Sequence, residues 1–348
     1  MTSTQAKISR KLLRVFFANW SKGPIAEQRR KQESKTRFTP LPSQLVCEPV
    51  TIDGIASEWL SLPEADSGVM LYLHGGAYNL GSVKASRDLI ARLVAATKHK
   101  ALALDYRLAP ENPFPAALED AVAAYRWLLA EGTAPSRILL AGDSAGGGLA
   151  VAALVALRDA GLPLPAGAIC LSPWVDLTLS GKSIHSKAAS DPILDAASLA
   201  RYAAAYAAGA PLASPLVSPL FADLHGLPPL LVQAGTEEIL LDDAIRLAER
   251  AAQAGVLVTL ETWEGLFHVF PFWLFCLKPG RHYSRRARLS PDSLAETLPI
   301  TRRCMDNQRP GWGNGRYSWC RGILSACFPE RGKDTAATRL RGLTASDV

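Results

Sequence analysis

The sequence lacks the short patterns that mark most metal-dependent and nucleotide-dependent proteins. Six cysteines occur in 348 residues, but none of them forms a Cys-x-x-Cys pair and their spacings fit no zinc site. There is no His-Glu-x-x-His segment and no glycine-rich loop of the kind that cradles phosphate. We therefore expect that the protein needs no metal ion and no organic cofactor.

Long apolar runs are also missing. The longest uncharged apolar run in the body of the chain, residues 145–157, is too short to span a bilayer. Near the N-terminus an apolar residue recurs at every fourth position among basic residues, which predicts an amphipathic helix. A membrane-surface helix is one interpretation, but packing against the protein's own body is favoured. We do not expect this helix to be a signal peptide, because Arg14 interrupts its apolar face and no small-residue cleavage site follows. We expect a cytoplasmic protein without stable membrane insertion. The apolar residues are Ile8, Leu12, Phe16 and Trp20.

Positive charge is concentrated at one end of the chain. The whole chain carries a net charge of +6, whereas residues 276–348 alone carry +8. Beyond Phe275 the alternation of strand and helix patterns stops, and composition permits a disordered extension. Trp312 and Trp319 among scattered arginines fit no nucleic-acid-binding motif, so we expect no nucleic-acid partner. The favoured hypothesis is that this basic tail is translated in a shifted reading frame or is joined abnormally.

What the chain does contain is a serine between glycines at a strand-to-helix turn. Residues 142–147 read Gly-Asp-Ser-Ala-Gly-Gly, after an aliphatic run and before an apolar helical stretch. This is typical of a nucleophile elbow, where side chains at Gly142 and Gly146 would clash. The amide of Ala145, at the helix N-terminus, can face a developing oxyanion. The alternative is that Ser144 only caps a helix.

A second motif lies upstream. Residues 74–78 read His-Gly-Gly-Ala-Tyr and follow a strand-like run. Backbone amides can crowd an oxyanion only where side chains are absent, so we predict that Gly75 and Gly76 complete an oxyanion hole with Ala145. His74 is predicted to be structural and not a general base.

These motifs resemble those of the bacterial hormone-sensitive-lipase-like esterases, also called family IV or α/β-hydrolase fold-3 enzymes. The resemblance covers about residues 10–273. It implies a cap made of N-terminal helices within residues 1–45 and an insert near 180–215, over a catalytic domain at 46–275. The segments that carry it, besides the two motifs above, are residues 105–117, 171–177, 235–243 and 263–268.

The pattern of elements agrees with an α/β-hydrolase fold. Strand-like runs alternate with helical stretches, which predicts a mostly parallel twisted sheet with helices on both faces. Asp53-Gly54 predicts the turn of an opening hairpin. The predicted strands lie near Val69, Ala101, Ile138, Ala168, Leu230 and Val256.

A serine nucleophile needs a base and an orienting carboxylate, and in this fold the chain order is serine, acid, histidine. His268 follows a strand-like run and occupies the position of the family's catalytic histidine, so we predict that it is the base. His225 is interpreted as a surface-loop residue, and His185 and His282 lack a preceding strand.

The acid is chosen among four carboxylates that follow a strand-like run. The position of the family's aspartate is occupied by Glu238, which we predict to be the acid, with Asp242 as the runner-up. Any fixed carboxylate near Nδ1 can orient an imidazole. The other two carboxylates are Glu237 and Asp243.

The resulting hypothesis is a serine carboxylesterase that hydrolyses short- to medium-chain esters through an acyl-enzyme. The expected partner is a small-molecule ester, and the sequence leaves a homodimer open. A lactone hydrolase or an N-deacylase would use the same triad. A non-catalytic ligand-binding homologue is disfavoured because Ser144, His268 and an acid are all present.

Overall fold

A computed structural model describes residues 23–36, 41–271, 281–289 and 301–306, the last two segments as backbone only. The amphipathic helix predicted around Ile8 to Trp20 lies outside the described residues. No helix in the described ranges is long and apolar enough to cross a membrane.

The described strands form one sheet, in the order β1-β2-β4-β3-β5-β6-β7-β8-β9-β10. Strands β3 to β8 run parallel, as predicted, whereas β1, β2, β9 and β10 pair antiparallel with their neighbours. The strands are β1 (Val46–Ile52), β2 (Ile55–Ser61), β3 (Gly68–Leu73), β4 (His99–Leu104), β5 (Ile138–Asp143), β6 (Gly167–Leu171), β7 (Leu230–Gly235), β8 (Val258–Trp263), β9 (Arg281–Leu289) and β10 (Thr301–Asp306).

The opening hairpin turns at the predicted dipeptide. Asp53 and Gly54 have φ angles of 49° and 83°, and positive φ at both central residues suits the twist of a two-residue hairpin. The turn pairs Ile52 with Ile55. The hairpin therefore sets the register of β1 on β2.

Helices pack on both faces of the sheet. In β3, Leu71 and Leu73 belong to one apolar cluster and Met70 and Tyr72 to another, because successive side chains of a strand point to opposite faces. Helix α2 packs on the second face and helices α3, α4 and α7 on the first. The helices are α1 (Ile25–Thr36), α2 (Val83–Thr97), α3 (Ala116–Ala130), α4 (Ala145–Asp159), α5 (Ser183–Ser186), α6 (Ala196–Ala207) and α7 (Leu241–Gln253).

The segment between β6 and β7, where the cap insert is predicted, holds α5 and α6. The side chain of Asn79 donates from Nδ2 to the carbonyl of Tyr202 on α6, at 3.1 Å. The Tyr202 hydroxyl in turn is hydrogen-bonded to Gln28 on α1. Helices α1 and α6 are thus joined to each other and to the loop that follows β3.

Two segments of the basic tail are strands. β9 pairs antiparallel with the outer edge of β8, and β10 with β9. The free edge of a terminal strand carries unpaired amides and carbonyls that accept a further strand, and β9 and β10 extend the sheet in this way. The disordered extension that composition permits stays a prediction. The rest of the tail lies outside the described residues, and a shifted reading frame stays a prediction.

Candidate active site

The predicted site residues converge at the carboxyl edge of the parallel strands. Ser144 directly follows β5, Glu238 lies three residues beyond β7, and His268 lies five beyond β8. The His74 loop begins where β3 ends. Parallel strands end at a common edge, and this edge is where open α/β sheets bind ligands.

Steric crowding shapes the turn that carries Ser144. The serine has φ 53° and ψ −120°, a conformation that L residues rarely adopt. A Cβ on Gly142 would lie 2.3 Å from the carbonyl of Gly146, and a Cβ on Gly146 would lie 2.0 Å from the carbonyl oxygen of Leu73. Glycine is therefore required at both positions, as predicted.

Ser144, His268 and Glu238 form a continuous hydrogen-bonded chain. His268 Nε2 lies 3.0 Å from Ser144 Oγ, and His268 Nδ1 lies 2.8 Å from Glu238 Oε2. Ser144 makes no side-chain cap bond to helix α4, which disfavours a mere capping role. Ser144 is 8% exposed and Glu238 is fully buried, so the chain of bonds is accessible only at its serine end.

The environment of His268 contains opposing influences on its pKa. Burial lowers the pKa, whereas the hydrogen bond to Glu238 and the negative charges of Glu238, Asp191 and Asp143 raise it. The charges prevail, and the pKa of His268 lies above its ordinary value of 6.5. A more basic imidazole is a stronger proton acceptor for the serine hydroxyl.

Two contacts fix the carboxylate of Glu238. Its Oε1 accepts hydrogen bonds from the Gly235 amide at 2.8 Å and from the Ser172 hydroxyl at 3.1 Å. Ser172 Oγ also accepts the amide of Val269, next to His268, at 3.0 Å. The acid and base loops are thereby joined through one hydroxyl group, a contact that the sequence did not reveal.

The three other carboxylates of this loop point elsewhere. Asp242 accepts the backbone amide of Ser183 on α5 at 3.0 Å. Glu237 lies 3.8 Å from the ammonium of Lys187. Asp243 is buried and accepts two backbone amides after β6. Of the four candidates, Glu238 is the one placed against His268.

The oxyanion donors differ from the prediction at Gly75. The amide of Gly75 donates to Asp143 Oδ1 at 2.9 Å, so its hydrogen is already engaged and the prediction for Gly75 is corrected. Within the described residues, no acceptor is bonded to the amides of Gly76, Ala77 or Ala145. Ala77 has φ 54°, and the sequence analysis did not name it as a candidate because a residue with a side chain was not expected there.

Asp143 and His74 support the loops around the serine, as predicted. Asp143 Oδ1 also accepts the Tyr72 hydroxyl, and burial raises the pKa of this carboxyl. The His74 ring stacks on Tyr106 at 4.3 Å between centroids, and burial lowers its pKa. The Tyr106 hydroxyl donates to the His74 carbonyl at 2.7 Å. Neither His74 nor Asp143 is hydrogen-bonded to Ser144.

The other histidines that follow Ser144 in the chain lie in different surroundings. His225 is exposed and hydrogen-bonded to Asp223, and His185 is exposed on α5. His282 lies in β9, of which the backbone alone is described.

Comparison with known proteins identifies the class that this fold and site define. Residues 70–272 match the model of the alpha/beta hydrolase fold family. The chain is 46% identical over 287 residues to an acetyl-hydrolase of Streptomyces hygroscopicus, covering 81% of this chain and 94% of that protein. It is 36% identical over 241 residues to an esterase of Acinetobacter venetianus, covering 68% of this chain and 80% of that one.

A solved structure narrows the class. An esterase from the bacterial hormone-sensitive lipase family superimposes with a TM-score of 0.74 at 46% identity, covering 78% of this chain and 92% of that chain. The chain belongs to the α/β-hydrolase fold family and, within it, to the hormone-sensitive-lipase-like esterases. The predicted fold and family are confirmed, and with them the assignment to the carboxylic ester hydrolases.

Proposed function

We propose that the protein is a serine esterase in which Ser144 is the nucleophile, His268 the base and Glu238 the acid. One observation carries the proposal: the unbroken chain of hydrogen bonds from Ser144 Oγ through the imidazole to the buried Glu238 carboxylate. Each group sits where the triad chemistry needs it, since the base must reach the hydroxyl and the acid must fix the imidazole.

The reaction follows from these positions. His268 Nε2 takes the proton as Ser144 Oγ forms a bond to the ester carbonyl carbon, and the negative charge moves to the carbonyl oxygen. The amides of Gly76, Ala77 and Ala145 donate to that oxygen. Collapse breaks the bond to the alcohol, which leaves with the proton from His268. Water, deprotonated by the same imidazole, then releases the acid and restores Ser144.

We infer that the acyl groups accepted are short to medium in length. The relative from Streptomyces hygroscopicus is an acetyl-hydrolase. Aromatic rings also fill the space between the His74 loop and α6: Tyr78 stacks on Tyr206 at 3.8 Å, and Phe114 meets Tyr206 edge-on at 6.0 Å between centroids. Rings packed so closely beside the His74 loop leave less room for a long acyl chain.

A panel of p-nitrophenyl esters from acetate to palmitate tests the proposal. We expect the highest kcat/KM with acetate or butyrate, and activity of Ser144→Ala about a million-fold lower in kcat, effectively undetectable. Ser136→Ala is the matched control, because Ser136 lies exposed before the opposite end of β5.

Three results would count against the proposal. A Ser144→Ala variant as active as wild type would show that Ser144 is not the nucleophile. A maximum of kcat/KM at palmitate would refute the proposed chain length. Faster hydrolysis of lactones than of open esters of equal size would assign the triad to lactones instead.

The cytoplasmic location stays a prediction from the sequence, and cell fractionation would check it. Light scattering on the purified protein would show whether the chain forms the homodimer that the sequence leaves open.

A further inference from the structure

The loop that carries Glu238 is hydrogen-bonded to the segment between β6 and β7. The residue after Glu238 is Ile239, and both of its backbone polar groups are bonded to side chains of that segment. The Ile239 amide donates to Asp191 Oδ2 at 2.9 Å, and the Ile239 carbonyl accepts the hydroxyl of Ser183 at 2.6 Å.

Ser183 makes a second, reciprocal pair of contacts further along the same loop. Its backbone amide donates to Asp242 Oδ2 at 3.0 Å, and its Oγ accepts the backbone amide of Asp242 at 3.0 Å. Asp242 therefore takes part in holding the loop, which accounts for its distance from His268. We call Ser183, Asp191, Ile239 and Asp242 the acid clamp.

The carboxylate of Asp191 is itself held firmly. Its Oδ1 accepts the amides of Ile193 and Leu194 at 2.9 and 3.0 Å. Asp191 is 3% exposed and Ser183 is 2% exposed. Burying a carboxylate in this way is unfavourable unless hydrogen bonds compensate for the lost water, and here the bonds lead directly to the residue beside Glu238.

We propose that Asp191 and Ser183 are positioning residues that hold Glu238 at the distance and angle His268 requires. The proposal rests on the function proposed above, because it assumes that Glu238 is the acid. The Ile239 amide belongs to the peptide plane that joins Glu238 to Ile239, and the Ile239 carbonyl belongs to the next plane. Fixing both planes restricts the backbone at Glu238, and so the direction in which its side chain leaves the chain. The segment between β6 and β7, where the cap insert is predicted, then contributes to catalysis through the loop of Glu238.

Misplacing a catalytic group by about 1 Å can cost about 100-fold in rate. We therefore expect Asp191→Ala and Ser183→Ala each to lower kcat for p-nitrophenyl acetate by roughly 10- to 100-fold. KM should change less than about twofold, since both side chains are hydrogen-bonded to the loop of Glu238. The rate at which a fluorophosphonate labels Ser144 should fall by the same factor, because it reports activation of the serine.

A double-mutant cycle with Glu238→Gln separates positioning from a general structural role. If the clamp acts through Glu238, Asp191→Ala in the Glu238→Gln background should cost less than about threefold in kcat. The cycle is measured on the alkaline plateau of the pH profile, where His268 is neutral in every variant and the direct effect of the Asp191 charge on its pKa no longer changes the rate. Asp195→Ala is the matched control: this carboxylate lies in the same segment but caps α6 through the Ser198 amide at 2.8 Å, and kcat should stay at the wild-type value.

The double-mutant cycle distinguishes failure of the acid clamp from failure of Glu238 as the acid. Equal losses for Asp191→Ala with and without Glu238→Gln would overturn the clamp, as would an unchanged kcat in both clamp variants. An unchanged kcat in Glu238→Gln alone would instead refute the proposed acid. If Asp191→Ala fails to fold, Ser183→Ala, which loses a single oxygen, carries the same cycle, and Asp191→Asn, which keeps an acceptor oxygen, should recover most of the lost kcat.

Discussion

At the scale of single residues, the imidazole of His268 shows how buried charge adjusts a base. The ring is 4% exposed, and burial alone would favour the neutral form. Glu238 at 2.8 Å and the charges of Asp191 and Asp143 reverse that preference. The histidine is thus shielded from water and still has a raised pKa. Burial without nearby negative charge would lower the pKa instead.

This environment predicts the acidic limb of the pH profile. His268 must be neutral to accept the serine proton, so activity falls as pH drops through its pKa, which lies above 6.5. Replacing Glu238 by Gln removes the charge that raises the pKa, and the limb should move to lower pH. We expect kcat/KM measured from pH 5 to 9 to show this shift.

Glu237→Gln supplies the control for the pH experiment. Glu237 precedes Glu238 but faces Lys187. The acidic limb of the pH profile of Glu237→Gln should therefore match that of wild type. A wild-type limb below 6.5, or equal displacement in both variants, would contradict the electrostatic account.

At the scale of elements, the turn from β5 into α4 depends on close contact between backbones. Helix α4 begins at Ala145 and passes so near the end of β3 that Gly146 touches the Leu73 carbonyl. Such an approach lets the helix N-terminus point its free amides at the site. The same closeness leaves no volume for a methyl group.

Gly146→Ala should therefore be severely destabilising. Its Cβ would sit 2.0 Å from Leu73 O and 2.6 Å from His74 O, which forces the strand and helix apart at a cost of about 3 kcal/mol or more. Calorimetric melting should show a fall in Tm of at least about 6 °C, at about 2–4 °C per kcal/mol.

Gly147→Ala is the neighbouring control. A Cβ there would meet Pro173 Cβ at 3.0 Å and the Gly142 carbonyl oxygen at 3.2 Å, a milder overlap that costs about 1 kcal/mol. Equal melting temperatures for the two variants would show that backbone contact does not determine this turn.

The element scale also shows where sequence patterns succeed. All six predicted parallel strands are present, because strands of a buried parallel sheet are short aliphatic runs that a local pattern reveals. The error at Gly75 lies at the level of a single amide. Its hydrogen goes to Asp143, 68 positions away along the chain, and no local pattern records that choice.

At the scale of the whole molecule, α1 is fastened to the body beside the site. Arg29 donates to the carbonyls of Asn79 and Ala109 at 2.8 and 2.7 Å and pairs with Glu111. These contacts bind the N-terminal part of the described chain to the loops after β3 and β4. Helix α1 is strongly polar, since six of its twelve residues are charged, so hydrogen bonds of this kind are needed to hold it against the body.

Arg29→Ala should lower the stability of the whole protein. Hydrogen bonds from a charged donor contribute about 1.5–3 kcal/mol, while the pair with the half-exposed Glu111 adds little because solvent screens it. We expect Tm to fall by about 3–12 °C, at about 2–4 °C per kcal/mol, in a thermal melt followed by circular dichroism.

Lys31→Ala on the same helix is the comparison. Its ammonium pairs with Glu27, and both side chains are nearly half exposed, so solvent screens the pair and Tm should hardly change. A larger fall in Tm for Lys31→Ala than for Arg29→Ala would mean that α1 is held by something other than the Arg29 contacts.

Local sequence patterns were enough to locate the parallel strands and the glycines of the elbow, and to single out Ser144 and His268 as candidates. Each of these depends on neighbours within a few positions, where backbone sterics and apolar periodicity act. Tertiary structure decided which of four carboxylates faces His268, which amides remain free and what holds the acid loop. Those outcomes depend on groups far apart in sequence, such as Asp191 and Ile239, and distances between such groups exist only once the sheet has brought its loops to one edge.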